Sequence, residues 1–181
     1  MKKVYLIRHG LPDFPEGKRM CLGTTDIPLG QAGLVQAQEM AAKLPPVSAV
    51  FSSPLTRAVQ TASAIGKPVT TLPALREMHA GEWDGRTFEE IRHRYPELYS
   101  ARGISQSLPL PGAEDHADAC ARFTAAMKDA ARLSVGDFAV VAHGGVIALF
   151  LQSISGIWYK PGYAETISLR YENGTFTLQE E

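Results

Sequence analysis

Apolar residues fall into two kinds of run along this chain. Short continuous runs, at Val4 to Ile7, Ala49 to Phe51, Val69 to Leu72 and Asp137 to Ala142, read as strands buried on both faces of a parallel sheet. Between them lie helical periods. Gln31 to Leu44 places Leu34, Ala37, Ala41 and Leu44 on one face, with Gly30 as N-cap and Pro45-Pro46 as the stop. Ser53-Pro54 predicts another helix start, with the hydroxyl as cap and proline in the first position. That helix runs to about Ile65, where Gly66 closes it. Glu114 to Leu133 brings Cys120, Phe123, Met127 and Ala130 to one face. Val146 to Ile154 follows His143-Gly144-Gly145 directly and ends at Gly156. Thr166, Ser168 and Arg170 then alternate with Ile167, Leu169 and Tyr171, as in a half-exposed strand. Asn173-Gly174 is a hairpin signal that turns this strand into Phe176 to Leu178.

Strands alternating with helices predict an α/β fold: a mostly parallel sheet with helices on both faces, its C-terminal hairpin forming an antiparallel edge. Neither an internal repeat nor an interdomain linker interrupts the 181 residues. One domain over 1–181 is therefore expected. Two stretches stand outside the alternation. Leu11 to Gly30 is a long loop, of the sort that usually carries function. Leu75 to Gly112 is irregular. Thr87-Phe88-Glu89-Glu90 has the form of a capping box before a short helix to about Tyr95. Pro96, Gly103, Pro109, Pro111 and Gly112 break the remainder into loops. We read about 78–112 as an excursion covering one side of a crevice.

Composition narrows the function. Hydrophobic residues make up 45% and charged residues 20%, with a net charge of -1, so nothing in the balance suggests a nucleic-acid partner. Any attraction for an anion must come from a few local arginines. Cys21 and Cys120 are too few for a disulfide framework and fit a reduced, cytoplasmic protein. The N-terminal apolar run is short and broken by Arg8, unlike a signal peptide. No run approaches the roughly 18 apolar residues of a membrane helix, so no membrane partner is expected.

The chemistry gathers at strand ends. Arg8-His9-Gly10 closes the first strand, and His143-Gly144 closes the strand from Asp137. Arg57 opens the helix after the second strand, and Glu77 follows the third by a few residues. Open α/β sheets bind ligands at the carboxyl ends of their strands, which would bring all four places to one edge. Two guanidiniums, two imidazoles and one carboxylate suit a phosphate. Guanidinium pairs with its oxygens, and the helix N-termini after Ser53 and Gly144 add oriented N–H groups. A neutral imidazole can attack phosphorus, and a buried carboxyl can protonate the leaving alcohol. Taken singly, His9 reads equally well as a buried core histidine, and Arg8 and Arg57 as surface ion-pair partners. The glycines after His143 fit a plain tight turn, and Glu77 alone says little. Arg86, Arg92, His93, Arg94 and Arg102 of the excursion read mostly as a solvated helix face.

Leu6-Ile7-Arg8-His9-Gly10 resembles the signature of the histidine phosphatase superfamily, the phosphoglycerate-mutase-like proteins. Four further blocks follow in the family's order. They are Asp26-Ile27-Pro28-Leu29 with Gly33 and Gln36-Ala37, then Ser52 to Ala62 around Arg57, then Leu75-Arg76-Glu77 with Gly81 to Gly85, then Val141 to Gly145. The resemblance implies a three-layer α/β/α sandwich. It also implies a metal- and cofactor-free reaction in which His9 becomes phosphohistidine. Arg8, Arg57 and His143 would grip the phosphoryl group, and Glu77 would protonate the leaving oxygen and then help activate water. Arg19 and Gly23 lie where family members contact ligand, and Gly144 belongs to the phosphate-facing helix start.

Cofactor-dependent mutases of the family carry Glu-Ser and then Trp-Asn after Arg-His-Gly, where this chain has Leu11-Pro12-Asp13-Phe14. They also carry Arg-His-Tyr where this chain has Met78-His79-Ala80. Both departures favour a phosphatase acting on a small phosphorylated substrate, similar to compact bacterial enzymes such as α-ribazole phosphatase. A phosphoglycerate-type mutase is the alternative, and a non-catalytic phospho-ligand binding module is the third reading. The assembly is expected to be a monomer or a homodimer, the latter through the outer edge of the final hairpin.

Overall fold

Among the described residues six strands and six helices follow one another, all but α4 as the sequence pattern suggests: β1 (Lys2–Arg8), α1 (Gln31–Lys43), β2 (Ala49–Ser52), α2 (Thr56–Ser63), β3 (Val69–Thr71), α3 (Phe88–Arg94), α4 (Pro96–Ile104), α5 (His116–Leu133), β4 (Phe138–Ala142), α6 (Gly144–Ser155), β5 (Thr166–Glu172) and β6 (Thr175–Leu178). The computed structural model describes residues 1–105 and 108–179, so positions 106 and 107 of the expected excursion lie outside it. The sheet runs β3-β2-β4-β1-β5-β6. Its first four strands are parallel, and β5 and β6 form the expected antiparallel edge.

Alternation along the central strands feeds two cores, one on each face. Val4, Leu6, Phe138 and Val140 face one side, where they pack with Phe123, Met127, Ile147 and Phe150 of α5 and α6. Tyr5, Ile7, Ala139 and Val141 face the other, against Met40 of α1 and Ala58 and Ala62 of α2. Register sets the functional edge: Arg8 lies opposite Ala142, and Ser52 lies opposite Val141. The carboxyl ends of β1, β2 and β4 therefore finish level, and the residues after them share one rim.

Local details differ from the sequence expectations for identifiable reasons. Helix α2 starts at Thr56 rather than Pro54, and its N-terminus is capped from a distance: the Thr56 N–H and hydroxyl donate to the Asp26 carboxylate. That frees Ser53 for another partner. The helix ends at Ser63, short of Ile65. On α1 the buried face is Gly33, Ala37 and Met40, leaving Leu34 exposed. Gly33 is drawn inward by a close approach, since a Cβ there would stand 2.1 Å from the Leu11 carbonyl oxygen. Helix α5 begins after Asp115, whose carboxylate accepts the Ala117 and Asp118 N–H groups. Glu114 stays outside it, and Cys120 is only half-buried beside the buried Ala119. The capping box at Thr87 and Glu90 is present. Pro96 opens a helix instead of breaking one, because its missing N–H costs nothing in the first turn, and α4 carries Gly103 within it.

Candidate active site

His9 follows the last residue of β1. Its backbone N–H donates to Ala142 O at 3.0 Å, which ties it to the end of β4. Its side chain is 5% exposed, and its ring centroid lies 5.1 Å from that of His143. Nδ1 is 2.7 Å from Gly10 O. A carbonyl only accepts, so Nδ1 carries the proton and Nε2 keeps its lone pair. Burial, then the charges of Arg57, Arg8 and Lys160, push this imidazole well below its ordinary range despite the Gly10 contact. The ring is neutral and nucleophilic at neutral pH.

His143 caps the start of α6 and is fully buried. Burial, Arg57 and His9 hold it, too, well below the ordinary imidazole range. Its Nε2 lies 2.7 Å from Ser53 Oγ. Its Nδ1 has no partner. The Ser53 oxygen also accepts the Leu55 N–H at 3.3 Å, so its own hydrogen is free to point at Nε2. When the Ser53 hydroxyl donates to Nε2, the proton of His143 sits on Nδ1.

Arg57, in the first turn of α2, is fully buried. Nη1 donates to Thr25 O at 2.8 Å and Nη2 to Gly23 O at 2.9 Å, while Nε has no partner. The loop supplying those carbonyls is held by Asp84. That carboxylate accepts the N–H groups of Gly23, Thr24 and Thr25 and the Thr24 hydroxyl. Burial pushes the Asp84 carboxyl up, but the hydrogen bonds from Thr25, Thr24 and Gly23 outweigh it and keep it below its usual value. Arg8 donates from Nη1 to Pro161 O at 2.7 Å and stacks 3.9 Å from the Tyr163 ring centroid. Its Nε also lacks a partner.

Glu77 is nearly buried, 8% exposed. Its carboxylate accepts N–H groups from Gly145 at 2.8 Å, Val146 at 2.9 Å and Met78 at 3.0 Å. It thereby caps the positive end of α6. Gly145 makes the approach feasible, since a Cβ there would lie 2.8 Å from Glu77 Oε1. From α5, Arg122 donates to the carbonyls of Ala74, Arg76 and Glu77 and pairs with Glu114, which fixes the backbone that carries Glu77.

Arg8, His9, Glu77, Gly144 and Arg19 line one cavity of about 100 Å³. Arg57 and His143, both fully buried, are not among its lining residues, and the His143 ring lies 5.1 Å from that of His9. Gly23 does not line the cavity; its carbonyl holds Arg57 instead. Of the five basic residues singled out in the excursion, Arg102 faces a neighbouring pocket, Arg86 is half-buried and donates to Glu82 O, and Arg92, His93 and Arg94 lie exposed on α3. Sequence reasoning passed over Ser53, Asp84, Arg122 and the 157–165 segment. Ser53 read as a helix cap, and that segment has neither strand nor helix period, yet it brings Lys160 and Tyr163 to the cavity and Pro161 O to Arg8. Among the described residues no group of three His, Cys, Asp or Glu side chains is placed to hold a metal ion.

Three buried nitrogens in this group, on Arg8, Arg57 and His143, have no hydrogen-bond partner among the described residues. A buried donor without an acceptor costs roughly 1–3 kcal/mol. Such donors beside a neutral imidazole suit an anion with several acceptor oxygens.

Comparison with known proteins agrees with this geometry. Residues 4–180 match the family model described as histidine phosphatase superfamily (branch 1). A metal-independent phosphoserine phosphatase of Arabidopsis thaliana is 36% identical over 163 residues, covering 83% of this chain and 68% of that protein. Phosphoglycerate mutase-like protein 4 of the same plant is 34% identical over 156 residues, covering 80% and 67%. Among solved structures, a mycobacterial glucosyl-3-phosphoglycerate phosphatase in complex with VO3 superposes with a TM-score of 0.84 at 27% identity, covering 99% of this chain and 98% of that one.

Proposed function

The chain belongs to branch 1 of the histidine phosphatase superfamily, and from that premise we propose that it hydrolyses a small phosphorylated metabolite through a phosphohistidine on His9. The observation that carries this reading is the trio of unpartnered buried nitrogens beside a neutral imidazole whose Nε2 is unprotonated. The phosphatases named among its relatives support the same reaction type.

Nε2 of His9 attacks phosphorus as the bond to the leaving oxygen breaks. Arg8 Nε, Arg57 Nε and His143 Nδ1 donate to the non-bridging oxygens, where charge must be neutralised. Glu77 hands a proton to the departing alkoxide. The backbone N–H groups of Gly145, Val146 and Met78 stabilise the carboxylate that remains. The same carboxylate then takes a proton from water as the water attacks phosphohistidine, and inorganic phosphate leaves. Among the expected site residues, Gly144 and Arg19 act at the cavity wall, and Gly23 acts through Arg57. The reaction asks nothing of a metal or cofactor.

The test is hydrolysis of p-nitrophenyl phosphate, run beside 3-phosphoglycerate with bisphosphoglycerate. Release of inorganic phosphate by wild type and its loss in His9→Ala support the reading. Phosphoryl exchange between phosphoglycerate hydroxyls without phosphate release would establish a mutase. Tight phosphate binding without either reaction would establish a binding module.

A further inference from the structure

Tyr163 stands between two spaces. It lines the phosphoryl cavity, and it also lines an outer groove of about 430 Å³ beside Tyr5, Gln36 and Met40. Its ring centroid lies 3.9 Å from Cζ of Arg8 and 5.8 Å from the ring centroid of His9. With open space on its far side, the ring keeps this place only because its backbone is fastened. The Ala164 N–H donates to His9 O at 3.2 Å, and the Arg8 N–H donates to Glu165 O at 3.1 Å. The Glu165 carboxylate in turn accepts the Gly162 N–H and the Tyr159 hydroxyl. Ala164 adopts φ 57°, a left-handed conformation that costs a residue with a Cβ and persists where its surroundings over-determine it. The bonds around Ala164 supply that determination, and they aim Tyr163 at Arg8.

Arg8 takes its anchors from this segment rather than from the strand that carries it. Nη1 donates to Pro161 O at 2.7 Å, and the Tyr163 ring takes the face of the guanidinium. Gly144 leaves the arginine room, since a Cβ there would stand 3.1 Å from Arg8 Nε. Neither anchor is a carboxylate. An acid would hold the guanidinium as firmly but would compete with phosphate for its charge. A carbonyl and a π face orient the cation and leave its charge, and its unpartnered Nε, to an incoming anion. A long side chain fixed in advance also loses no rotamer freedom when that anion binds.

We propose that Tyr163 is a positioning residue for the phosphoryl grip: its ring, fastened by the 159–165 segment, sets the Arg8 guanidinium to face the transferred group. This rests on the phosphomonoesterase reading, in which Arg8 binds the phosphoryl oxygens, and adds the side chain that aims it.

The probe is orthovanadate, a phosphate mimic, titrated calorimetrically into wild type and variants whose folding is verified by circular dichroism. Tyr163→Leu fills the space without a π face and is expected to bind vanadate about tenfold to thirtyfold more weakly. Tyr163→Phe keeps the face and is expected to stay within about threefold of wild type. A double-mutant cycle separates positioning from a direct or merely structural role. In an Arg8→Met background, Tyr163→Leu is expected to change the affinity by less than about twofold, because the group it aims is gone. An unchanged affinity in Tyr163→Leu, a Tyr163→Phe as weak as Tyr163→Leu, or a loss as large in the Arg8→Met background as in wild type overturns the proposal. Turnover of p-nitrophenyl phosphate by wild type is read in parallel. Turnover with additive vanadate losses removes the positioning role and keeps the phosphatase. Coupled losses without any turnover remove the phosphatase and keep the positioning role.

Discussion

The hydroxyl of Ser53 lies 2.7 Å from Nε2 of His143, so it is the one side chain that hydrogen-bonds to a nitrogen of this fully buried ring among the described residues. With Nε2 accepting, the proton sits on Nδ1, the atom that has no partner among the described residues. A residue that reads as a helix cap in the sequence therefore bears directly on the tautomer of His143.

Ser53→Ala removes that constraint while keeping the size of the site. We expect kcat/KM to fall by about tenfold to a hundredfold, the equivalent of roughly 1–3 kcal/mol for an unpaired buried group. Ser53→Thr, which keeps a hydroxyl, should recover part of it. Steady-state kinetics on p-nitrophenyl phosphate, with circular dichroism to verify folding, checks this.

Gly145→Ala places a methyl group 2.8 Å from Glu77 Oε1. The carboxylate must shift, and its N–H donors go with it. The expected result is a defect resembling Glu77→Gln: a loss of about a hundredfold or more on alkyl phosphates, and a much smaller one on p-nitrophenyl phosphate, whose leaving group needs little protonation. Equal losses on both substrates would remove Glu77 from proton donation.

Asp84 acts on Arg57 through the loop at Gly23 to Thr25. Asp84→Asn should raise KM more than it lowers kcat and cost about 1–3 kcal/mol of stability. The Asp84 carboxyl is held below its ordinary 3.8, so its extra stability is present above that pH and lost as pH falls through the folded value. Urea unfolding of wild type and variant should therefore give the same gap at pH 7 and pH 5, where the carboxylate is ionised in both states.

The imidazoles behave in the opposite range. His9 and His143 are held well below their ordinary 6.5 in the folded protein. Below pH 6.5 the unfolded chain gains protons that the folded one excludes, so stability falls as pH falls. Between pH 7.5 and 5.5 each such histidine adds to that loss. His9→Gln should therefore lose less stability than wild type over that interval, as read from urea midpoints.

How far the sequence carried is clear from particular residues. Arg8, His9, Arg57, Glu77 and His143 all lie at the carboxyl edge, because each adjoins the end of an apolar run and parallel register levels those ends. β4 was legible as an unbroken apolar run buried on both faces, and α5 by the helical repeat of its buried residues. What escaped notice depends on contacts distant in sequence. Asp26 caps α2 from thirty positions away, so Ser53 is released. Arg122 braces Glu77 from α5, forty-five positions on. Lys160 and Tyr163 sit in a segment with no period. The face of α1 turned because Gly33 packs against Leu11, a close approach that hydrophobicity does not record.

The most direct measurement of the account is the covalent intermediate. Substrate carrying a labelled phosphoryl group is mixed rapidly with wild-type protein, quenched in alkali, digested and mapped by mass spectrometry. Label on a histidine in the Val4–Gly10 peptide, absent in His9→Ala and released by water on chase, is the expected result. Turnover that survives His9→Ala, or label on His143 with none on His9, would contradict it.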